Sequence, residues 1–237
     1  MSSAQTSNGV LQRLSADDFH SVEPYFTRVD LRLKQEIIVP NQPITHVWFP
    51  ESGMCSIIAR SEGTEAIEVG MVGVEGMTDH LTKAGDTSVL SSLIQLEGTA
   101  LAIEADRYVD WMQERPHVLQ LVLRYQQTMM VQISYTALSH GSYTIEERLA
   151  RWLLMGFDRS DGGDLPLVHE FIAMMLAVRR SGVTTALHVL EGKHAIRAQR
   201  GLIQLRSREV LVELSAGSYG AAEREYERLM GPVAGTA

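Results

Sequence analysis

Residues 179–188 carry side chains that can bind nucleic acid, spaced along one short segment. The polar and cationic members are Arg179, Arg180, Ser181, Thr184, Thr185 and His188. An arginine can donate two hydrogen bonds to one guanine, and hydroxyl and imidazole groups can bond to base edges. Val183, Leu187 and Leu190 supply an apolar side in the same segment. A helix with these two sides is suited to enter the major groove of DNA, so the six polar residues are predicted to face base edges or the backbone.

The preceding residues predict a second helix that supports the first. In His169–Leu190, small Ala173 stands where two helices must cross, Ala177 marks the turn and Val183 closes a small core. The remaining apolar positions are Phe171, Ile172, Leu176, Val178, Leu187 and Leu190. Ala177 is unusual because this turn often has a positive φ, which favours glycine. The pattern predicts a helix-turn-helix; a buried αα-hairpin is the alternative.

The charge distribution supports binding to phosphates. The whole chain has a net charge of -8, but residues 176–208 reverse that balance. Their cations are Arg179, Arg180, Lys193, Arg197, Arg200, Arg206 and Arg208, against the single acid Glu191. Salt screens charges beyond about 8–10 Å, so local charge matters more than net charge. We predict phosphate contacts from Arg179, Lys193, Arg197 and Arg200, with a solvated charged face as the alternative.

Composition excludes several other classes of protein. The lone Cys55 rules out an internal disulfide, an iron–sulfur cluster held by four cysteines of this chain and a cysteine-rich zinc site. His46, His80, His117 and His140 lack metal-ligand spacing, so no metal site is predicted and any cofactor stays unknown. No apolar run is long enough for a membrane span, and the first residues do not resemble a secretory signal. We expect a cytoplasmic protein without membrane contact.

Two structural regions precede the predicted helix-turn-helix. A helix over Ala16–Tyr25 is followed by short strands with turns between them, which favours an antiparallel roll or sandwich. The strands are predicted at Glu36–Val39, His46–Phe49, Cys55–Ala59, Ala66–Val69, Leu93–Leu96 and Ala100–Ile103. A helix over Ala105–Glu114 and a long helix over Pro116–His140 come next, the second with proline in its first turn.

The long helix is apolar on nearly all sides, so it needs more than one packing partner. Residues spaced alternately by four and three are typical of a coiled-coil seam. One such row is Val118, Val122, Tyr125, Met129, Gln132 and Thr136. We predict a homodimer joined through this row; a helix buried within one subunit is the alternative.

The chain then enters a C-terminal domain. Gly141–Tyr143 is predicted to break the long helix, and Thr144 with Glu147 forms a capping box for the next one. A loop is expected at residues 158–164, strands at Ala195–Arg197 and Gly201–Leu205 as a wing, and a last helix at Ser218–Met230. These elements predict an α+β fold divided into residues 1–115 (roll), 116–142 (central helix) and 143–237 (winged helix).

The segments HVWFPESGMCSII, EERLARWLLM and AVRRSGVTTAL together resemble the Crp/Fnr family of bacterial transcription regulators. The resemblance extends from Leu11 to about Leu229. It implies a cyclic-nucleotide-binding-like β-roll that senses an effector, a central dimerisation helix and a winged helix that binds a two-fold-symmetric operator. It also implies double-stranded DNA and an unidentified small-molecule effector as partners, with RNA polymerase as a further expected one.

The chain departs from that family at the site for the effector. Relatives that bind cyclic AMP have Gly-Glu followed by an arginine that pairs with the phosphate. Here Glu75 and Gly76 resemble the start, but no arginine lies between Arg60 and Arg107. Lys83 cannot form a bidentate clamp, and of the helix Thr-Ser pair only Ser134 is left. We predict an effector pocket at Glu75, Gly76 and Ser134 that does not bind cyclic AMP.

The resemblance also indicates which residues of this chain correspond to the family's DNA-contacting residues. The family's Arg-Glu-x-x-x-Arg set corresponds to Arg180, Ser181 and Thr185, so only the first arginine is kept and a different half-site is expected. Enzyme motifs such as a Walker loop, Gly-x-Ser-x-Gly or His-Glu-x-x-His are absent from the sequence, and we predict no enzyme activity. The alternative function is a roll that binds a ligand or protein beside a vestigial DNA-binding domain.

Overall fold

The computed structural model describes residues 6–61, 66–78, 83–160, 164–167 and 169–232. It begins with two short helices, α1 (Gly9–Gln12) and α2 (Ala16–Val22), and a 3-10 turn (Glu23–Tyr25). The sequence predicted a helix over residues 16–25 but missed α1. Asn8 starts α1 because its side-chain oxygen accepts hydrogen bonds from the amides of Val10 and Leu11, each at 3.1 Å.

The predicted antiparallel roll is confirmed. Its strands are β1 (Thr27–Leu31), β2 (Glu36–Ile38), β3 (His46–Pro50), β4 (Met54–Ala59), β5 (Ile67–Val72), β6 (Ser91–Leu96) and β7 (Gly98–Glu104). They form one sheet in the order β1-β7-β3 and another in the order β2-β6-β4-β5. The sequence analysis missed β1, because most of its residues are exposed and its charged residues, Arg28 and Asp30, alternate with Thr27, Val29 and Leu31.

The two faces of β4 separate two parts of the core. Cys55 and Ile57 contribute to the cluster inside the roll, whereas Met54 and Ile58 belong to a cluster shared with the C-terminal half. This alternation follows from the two-residue period of a strand. Gly53 precedes β4 with φ at +78°, and an added Cβ would lie 2.6 Å from the Leu96 carbonyl oxygen. A glycine is therefore required at this turn.

The central helices follow closely from the sequence. They are α3 (Ala105–Glu114), α4 (Pro116–Ser142) and α5 (Ile145–Phe157). Contrary to expectation, Gly141 does not interrupt α4, which ends at Ser142 with Tyr143 as its C-cap residue. The capping box of α5 is confirmed: Thr144 accepts from the Glu147 amide, and the Glu147 carboxylate accepts from the Thr144 amide at 2.8 Å.

The C-terminal half contains the predicted helix-turn-helix and wing. Its elements are β8 (Asp164–Leu165), α6 (His169–Met175), α7 (Arg180–Gly192), β9 (Ile196–Gln199), β10 (Leu202–Leu205), α8 (Arg208–Leu214) and α9 (Ala221–Met230). The wing is the β9–β10 hairpin, with β8 on the other edge of β10. The sequence missed α8, which starts where Ser207 accepts from the Val210 amide. The predicted loop glycines Gly162 and Gly163 lie outside the described residues.

One hydrophobic core joins the roll to the C-terminal half. Met54, Met71 and Leu93 of the roll belong to the same buried cluster as residues of α5, α6 and α7. The sheet β2-β6-β4-β5 therefore has buried apolar residues on both faces. The predicted boundary at residue 143 marks the change of element, but packing continues across it.

Candidate nucleic-acid interface

The turn between α6 and α7 has the geometry expected of a helix-turn-helix. Ala177 adopts a positive φ of 48°, so the position flagged in the sequence does lie in the left-handed region. The Val178 amide donates to the Ala173 carbonyl at 3.0 Å, which closes the turn. Ala173 and Val183 are buried, as their small or branched side chains predict. The angle between the two helices is thus set by packing and by one strained residue.

The first turn of α7 has no side-chain cap. Arg179 is the N-cap residue, and its side chain makes no capping hydrogen bond. Helix N-termini carry unsatisfied amides and a partial positive charge, which together favour an anion such as a phosphate. The exposed guanidinium groups of Arg179 and Arg180 add full charges at the same place.

Four of the predicted base-contacting residues lie exposed on α7, and we call them the reading face: Arg180, Ser181, Thr185 and His188. Thr184 differs because it is half-buried and its hydroxyl lies 3.2 Å from His169 Nδ1 on α6. Val189, which the sequence analysis did not select, is 39 % exposed on the same helix. An exposed valine there can contact a thymine methyl group.

The predicted phosphate-binding cations surround α7. Lys193 is the C-cap residue of that helix, Arg197 lies on β9 and Arg200 in the turn of the wing, and all are exposed. Within the described residues, none of them or Arg179 forms an ion pair. Arg208 is different: its guanidinium binds the Asp158 carboxylate at 2.5 Å and is not free for DNA.

The coiled-coil row predicted on α4 is buried inside its own subunit, which corrects the sequence analysis. Val118, Val122, Tyr125, Gln132 and Thr136 are buried, and Met129 is half-buried. Gln132 accepts from the Met71 amide of β5 at 2.7 Å, and Tyr125 donates to the Met77 carbonyl at 3.1 Å. This side of α4 packs on the roll and on α9, so it cannot form the seam of a dimer in this arrangement.

A second row on α4 is exposed instead. It contains Leu123, Gln127, Met130, Ser134 and Ala137, again spaced by four and three. Leu123 is 53 % exposed and Met130 is 69 % exposed. Both sides of α4 have coiled-coil spacing, and tertiary packing decides which one is free.

The predicted effector residues do not come together. Ser134 lies on the exposed side of α4, where its hydroxyl donates to the Met130 carbonyl at 2.8 Å. Gly76 packs directly under Tyr125, whose hydroxyl would lie 2.1 Å from an added Cβ. Glu75 is buried and paired with Arg159, with 2.7 Å between oxygen and nitrogen. Burial by itself lowers the pKa of Arg159, but the charges of Glu75 and Asp158 outweigh it and raise that pKa.

A cavity of about 200 Å³ lies beside this ion pair. Its lining comes from both halves of the molecule: Glu75 of the roll, Tyr125 and Met129 of α4, and Tyr219 and Tyr226 from the C-terminal end. A molecule bound there would contact the roll, the central helix and the C-terminal half together. Lys83, the only cation predicted near the effector, is exposed and is not part of this lining.

Among the described residues, no group of three or more His, Cys, Asp or Glu side chains could hold a metal ion. His80 lies outside the described residues. In the same part of the chain, every helix is too short or too polar to cross a bilayer.

Comparison with known proteins supports the resemblance found in the sequence. Residues 147–214 match the Crp-like helix-turn-helix domain. A search of curated proteins finds no match. FixK2 from Bradyrhizobium japonicum has a similar structure, with a TM-score of 0.68, 17% identity and coverage of 81% of this chain and 98% of that one.

Two other solved structures are similar over their whole length. A Crp/Fnr regulator from Eubacterium rectale has a TM-score of 0.69 and 16% identity, with 89% of this chain and 99% of that chain covered. The c-di-GMP responsive global regulator CLP from Xanthomonas campestris has a TM-score of 0.65 and 15% identity, with coverage of 81% and 100%. The chain therefore has the fold of the Crp/Fnr transcription regulators and carries a Crp-like helix-turn-helix domain.

Proposed function

We propose that the protein is a transcription regulator that binds a two-fold-symmetric DNA site as a homodimer. The observation that carries this proposal is the reading face on α7, which is exposed. It is flanked by Lys193, Arg197 and Arg200, which form no ion pair with any described residue. Arg180 would contact a guanine, and the flanking cations would bind phosphates and set the register. A bacterial transcription regulator acts in the compartment that contains the chromosomal DNA and RNA polymerase. We therefore propose that this protein is cytoplasmic.

Selection from random double-stranded DNA tests this function. We expect an enriched two-fold motif and an affinity that falls steeply as salt rises. The variant with Arg179→Ala and Arg180→Ala should lose at least tenfold in affinity, since one bidentate guanine contact alone contributes about 1–3 kcal/mol. Lys83→Ala together with Arg107→Ala, two exposed cations outside the C-terminal half, is the matched control and should bind like the wild type.

The double variant also separates the proposal from a vestigial DNA-binding domain. Circular dichroism establishes that the variant is folded, and retention on genomic DNA is then compared with the wild type. Unchanged retention would mean that α7 does not contact DNA. The roll would then have to act as a ligand-binding or protein-binding module without DNA recognition.

The dimer is best supported by the exposed row on α4. Pairing two copies along Leu123, Met130 and Ala137 would cover apolar side chains that solvent now contacts. A two-fold axis along α4 would place two α7 helices in successive major grooves, about 34 Å apart. An effector would then act by shifting the α4 helices and with them the two α7 helices.

Met130→Glu tests this seam. A buried like-charge pair at the two-fold axis should convert the dimer to a monomer, which sedimentation velocity detects, with a loss of DNA affinity of about a hundredfold or more. Val89→Glu places the same charge on another exposed apolar residue, at 74 % exposure on the roll, and should leave the dimer intact. A dimeric Met130→Glu protein would exclude this row as the interface.

We infer that a small-molecule effector binds in the 200 Å³ cavity beside Glu75 rather than at a site that includes Ser134. Both halves line that cavity, so an occupant would bias their relative position. Cyclic AMP is not expected to bind, because the Glu75 carboxylate is committed to Arg159 and Lys83 lies elsewhere. Equilibrium dialysis with cyclic AMP checks this; binding at micromolar concentration would contradict it.

A further inference from the structure

A buried carboxylate lies at the contact between the roll and the DNA-binding half. Glu68 of β5 is 4 % exposed. Its Oε1 accepts a hydrogen bond from the indole N–H of Trp152 on α5 at 2.8 Å. Its Oε2 accepts from the Gln95 amide at 3.0 Å and from the Ser56 hydroxyl. The three donors come from three elements, and only Trp152 belongs to the DNA-binding half.

All three hydrogen-bond donors to Glu68 are neutral. Within the described residues, Glu68 forms no ion pair. A buried carboxylate loses its hydration, which disfavours the charged form, and hydrogen bonds from neutral donors recover only part of that loss. Burial raises the pKa of Glu68 to about 7, although the Ser56 and Trp152 hydrogen bonds and the charges of Arg151 and Arg159 act to lower it.

Other ionisable groups near Glu68 come from the helices packed on β5. From α4, the His140 ring contacts the Glu68 backbone, and burial together with the Arg148 charge lowers the pKa of His140 to about 4. From α5, Arg148 and Arg151 line a second, small cavity together with Glu68 and His140. Arg159 follows the C-terminal end of α5. Strands β4 and β6 contribute Ser56 and Gln95, which do not titrate. Among the described residues that line this small cavity, Glu68 is the only carboxylate.

We propose that Glu68 is a positioning residue at the contact of α5 with the roll, and that this contact weakens when Glu68 loses its proton. The hydrogen bond from Trp152 strengthens with the charge, but the packed contact excludes the water that would solvate the carboxylate. Trp152 is part of the cluster that also contains the core of α6 and α7. The position of the DNA-binding half relative to the roll thus depends on one proton. The importance of this position for DNA recognition rests on the proposed function. The contact between Glu68 and Trp152 is formed within one chain and does not depend on DNA.

The sign follows from the two protonation states. With α5 in place, Glu68 has a pKa near 7, whereas a solvated glutamate has a value of 4.5. The stabilisation from the protonated group is fully present below pH 4.5 and is lost as pH rises through 7, by up to tenfold per pH unit in the equilibrium constant. His140 acts oppositely, because its lowered pKa makes the packed state less stable as pH falls below 6.5.

The indole N–H of Trp152 reports this proton directly. We expect its resonance in a ¹⁵N-labelled sample of the full chain to shift between pH 5 and 8.5 with a midpoint near 7. Trp111 is an internal control in the same spectrum, since its N–H donates to the neutral Ser21 hydroxyl at 3.2 Å and should not shift. Trp152→Phe removes one resonance and so assigns it.

Two substitutions decide which group titrates. Glu68→Gln keeps the shape and an acceptor oxygen but cannot lose a proton, so the shift of Trp152 should vanish. His140→Gln removes the neighbouring imidazole and should leave the midpoint near 7. The proposal is overturned if the Trp152 resonance does not titrate in the wild type or still titrates in Glu68→Gln. If Glu68→Gln fails to fold, the His140→Gln variant decides: loss of the Trp152 shift in that variant would overturn the proposal.

Unfolding measurements separate positioning from a local effect on the indole. The ratio of the unfolding equilibrium constants of the wild type and Glu68→Gln should change by about fortyfold from pH 5 to 7, by about twofold more above pH 7, and be constant above about pH 8.5. The comparison cancels His140, which both proteins share. A ratio independent of pH would show that the proton on Glu68 does not stabilise the contact, and would overturn the proposal whether or not the protein binds DNA.

Discussion

The surface around α7 and the contact between the roll and α5 use charge in opposite ways. Arg180, Lys193, Arg197 and Arg200 are exposed and have no acidic partner among the described residues. At the contact, Glu75 and Arg159 are paired and buried, and Glu68 is held by neutral donors. Exposed cations cost little to maintain and remain free for phosphate, whereas buried charges need partners from both halves. The proposed DNA contacts therefore use exposed cations, whereas the contact between the two halves uses buried groups.

Breaking the buried ion pair should have the largest effect on stability. Arg159→Met leaves Glu75 buried without its partner, and removing one member of such a pair costs about 3–5 kcal/mol. Chemical denaturation measures the free energy of unfolding. The exposed pair Arg60–Glu36, at 3.9 Å, is the matched control.

Arg60→Met should cost less than about 1 kcal/mol, because exposed pairs contribute little. Equal losses in the two variants would mean that burial does not distinguish these two regions. DNA affinity in Arg159→Met, measured where the protein stays folded, shows whether the buried pair also positions α7.

Removing one flanking cation should have a smaller effect, confined to DNA binding. Lys193→Gln should lower the slope of log affinity against log salt by about 0.9 and weaken specific and non-specific DNA alike. Fluorescence anisotropy at several salt concentrations measures both. Lys83→Gln changes an exposed lysine of the roll and should leave the slope unchanged; an equal change in both variants would point to net charge rather than contact.

The smallest effect is expected at the turn between α6 and α7. Ala177→Gly places glycine at a φ of 48°, where an L-residue is strained by about 1–2 kcal/mol. The greater freedom of glycine in the unfolded chain offsets part of this gain, so stability should rise by less than about 1 kcal/mol. Thermal unfolding measures it, with Gln113→Gly on the exposed helical backbone of α3 as the control that should lose stability. A loss in Ala177→Gly would mean that this backbone is not strained.

Local patterns determined much of the fold. The Thr144–Glu147 capping box, the proline at the start of α4 and the positive φ at Ala177 each depend on neighbours a few residues away. The roll strands were predicted from turns and two-residue alternation, and β1 was missed because its exposed charged residues weaken that alternation. The exposure of Arg180, Ser181, Thr185 and His188 follows from helical periodicity around the buried Val183 and Leu187.

Only the tertiary structure decided which surfaces meet. Both sides of α4 carry the four-and-three spacing, and periodicity cannot indicate which side packs on the roll; Tyr125 lies inside and Met130 outside. Glu68 and Trp152 are 84 residues apart in the sequence, as are Glu75 and Arg159. No local sequence pattern therefore indicates that these residues are in contact. The sequence by itself specified the helices, strands and turns and the groups suited to DNA. Packing across the roll, α4 and α5 decided which charges are buried, because burial depends on residues brought together from distant parts of the chain.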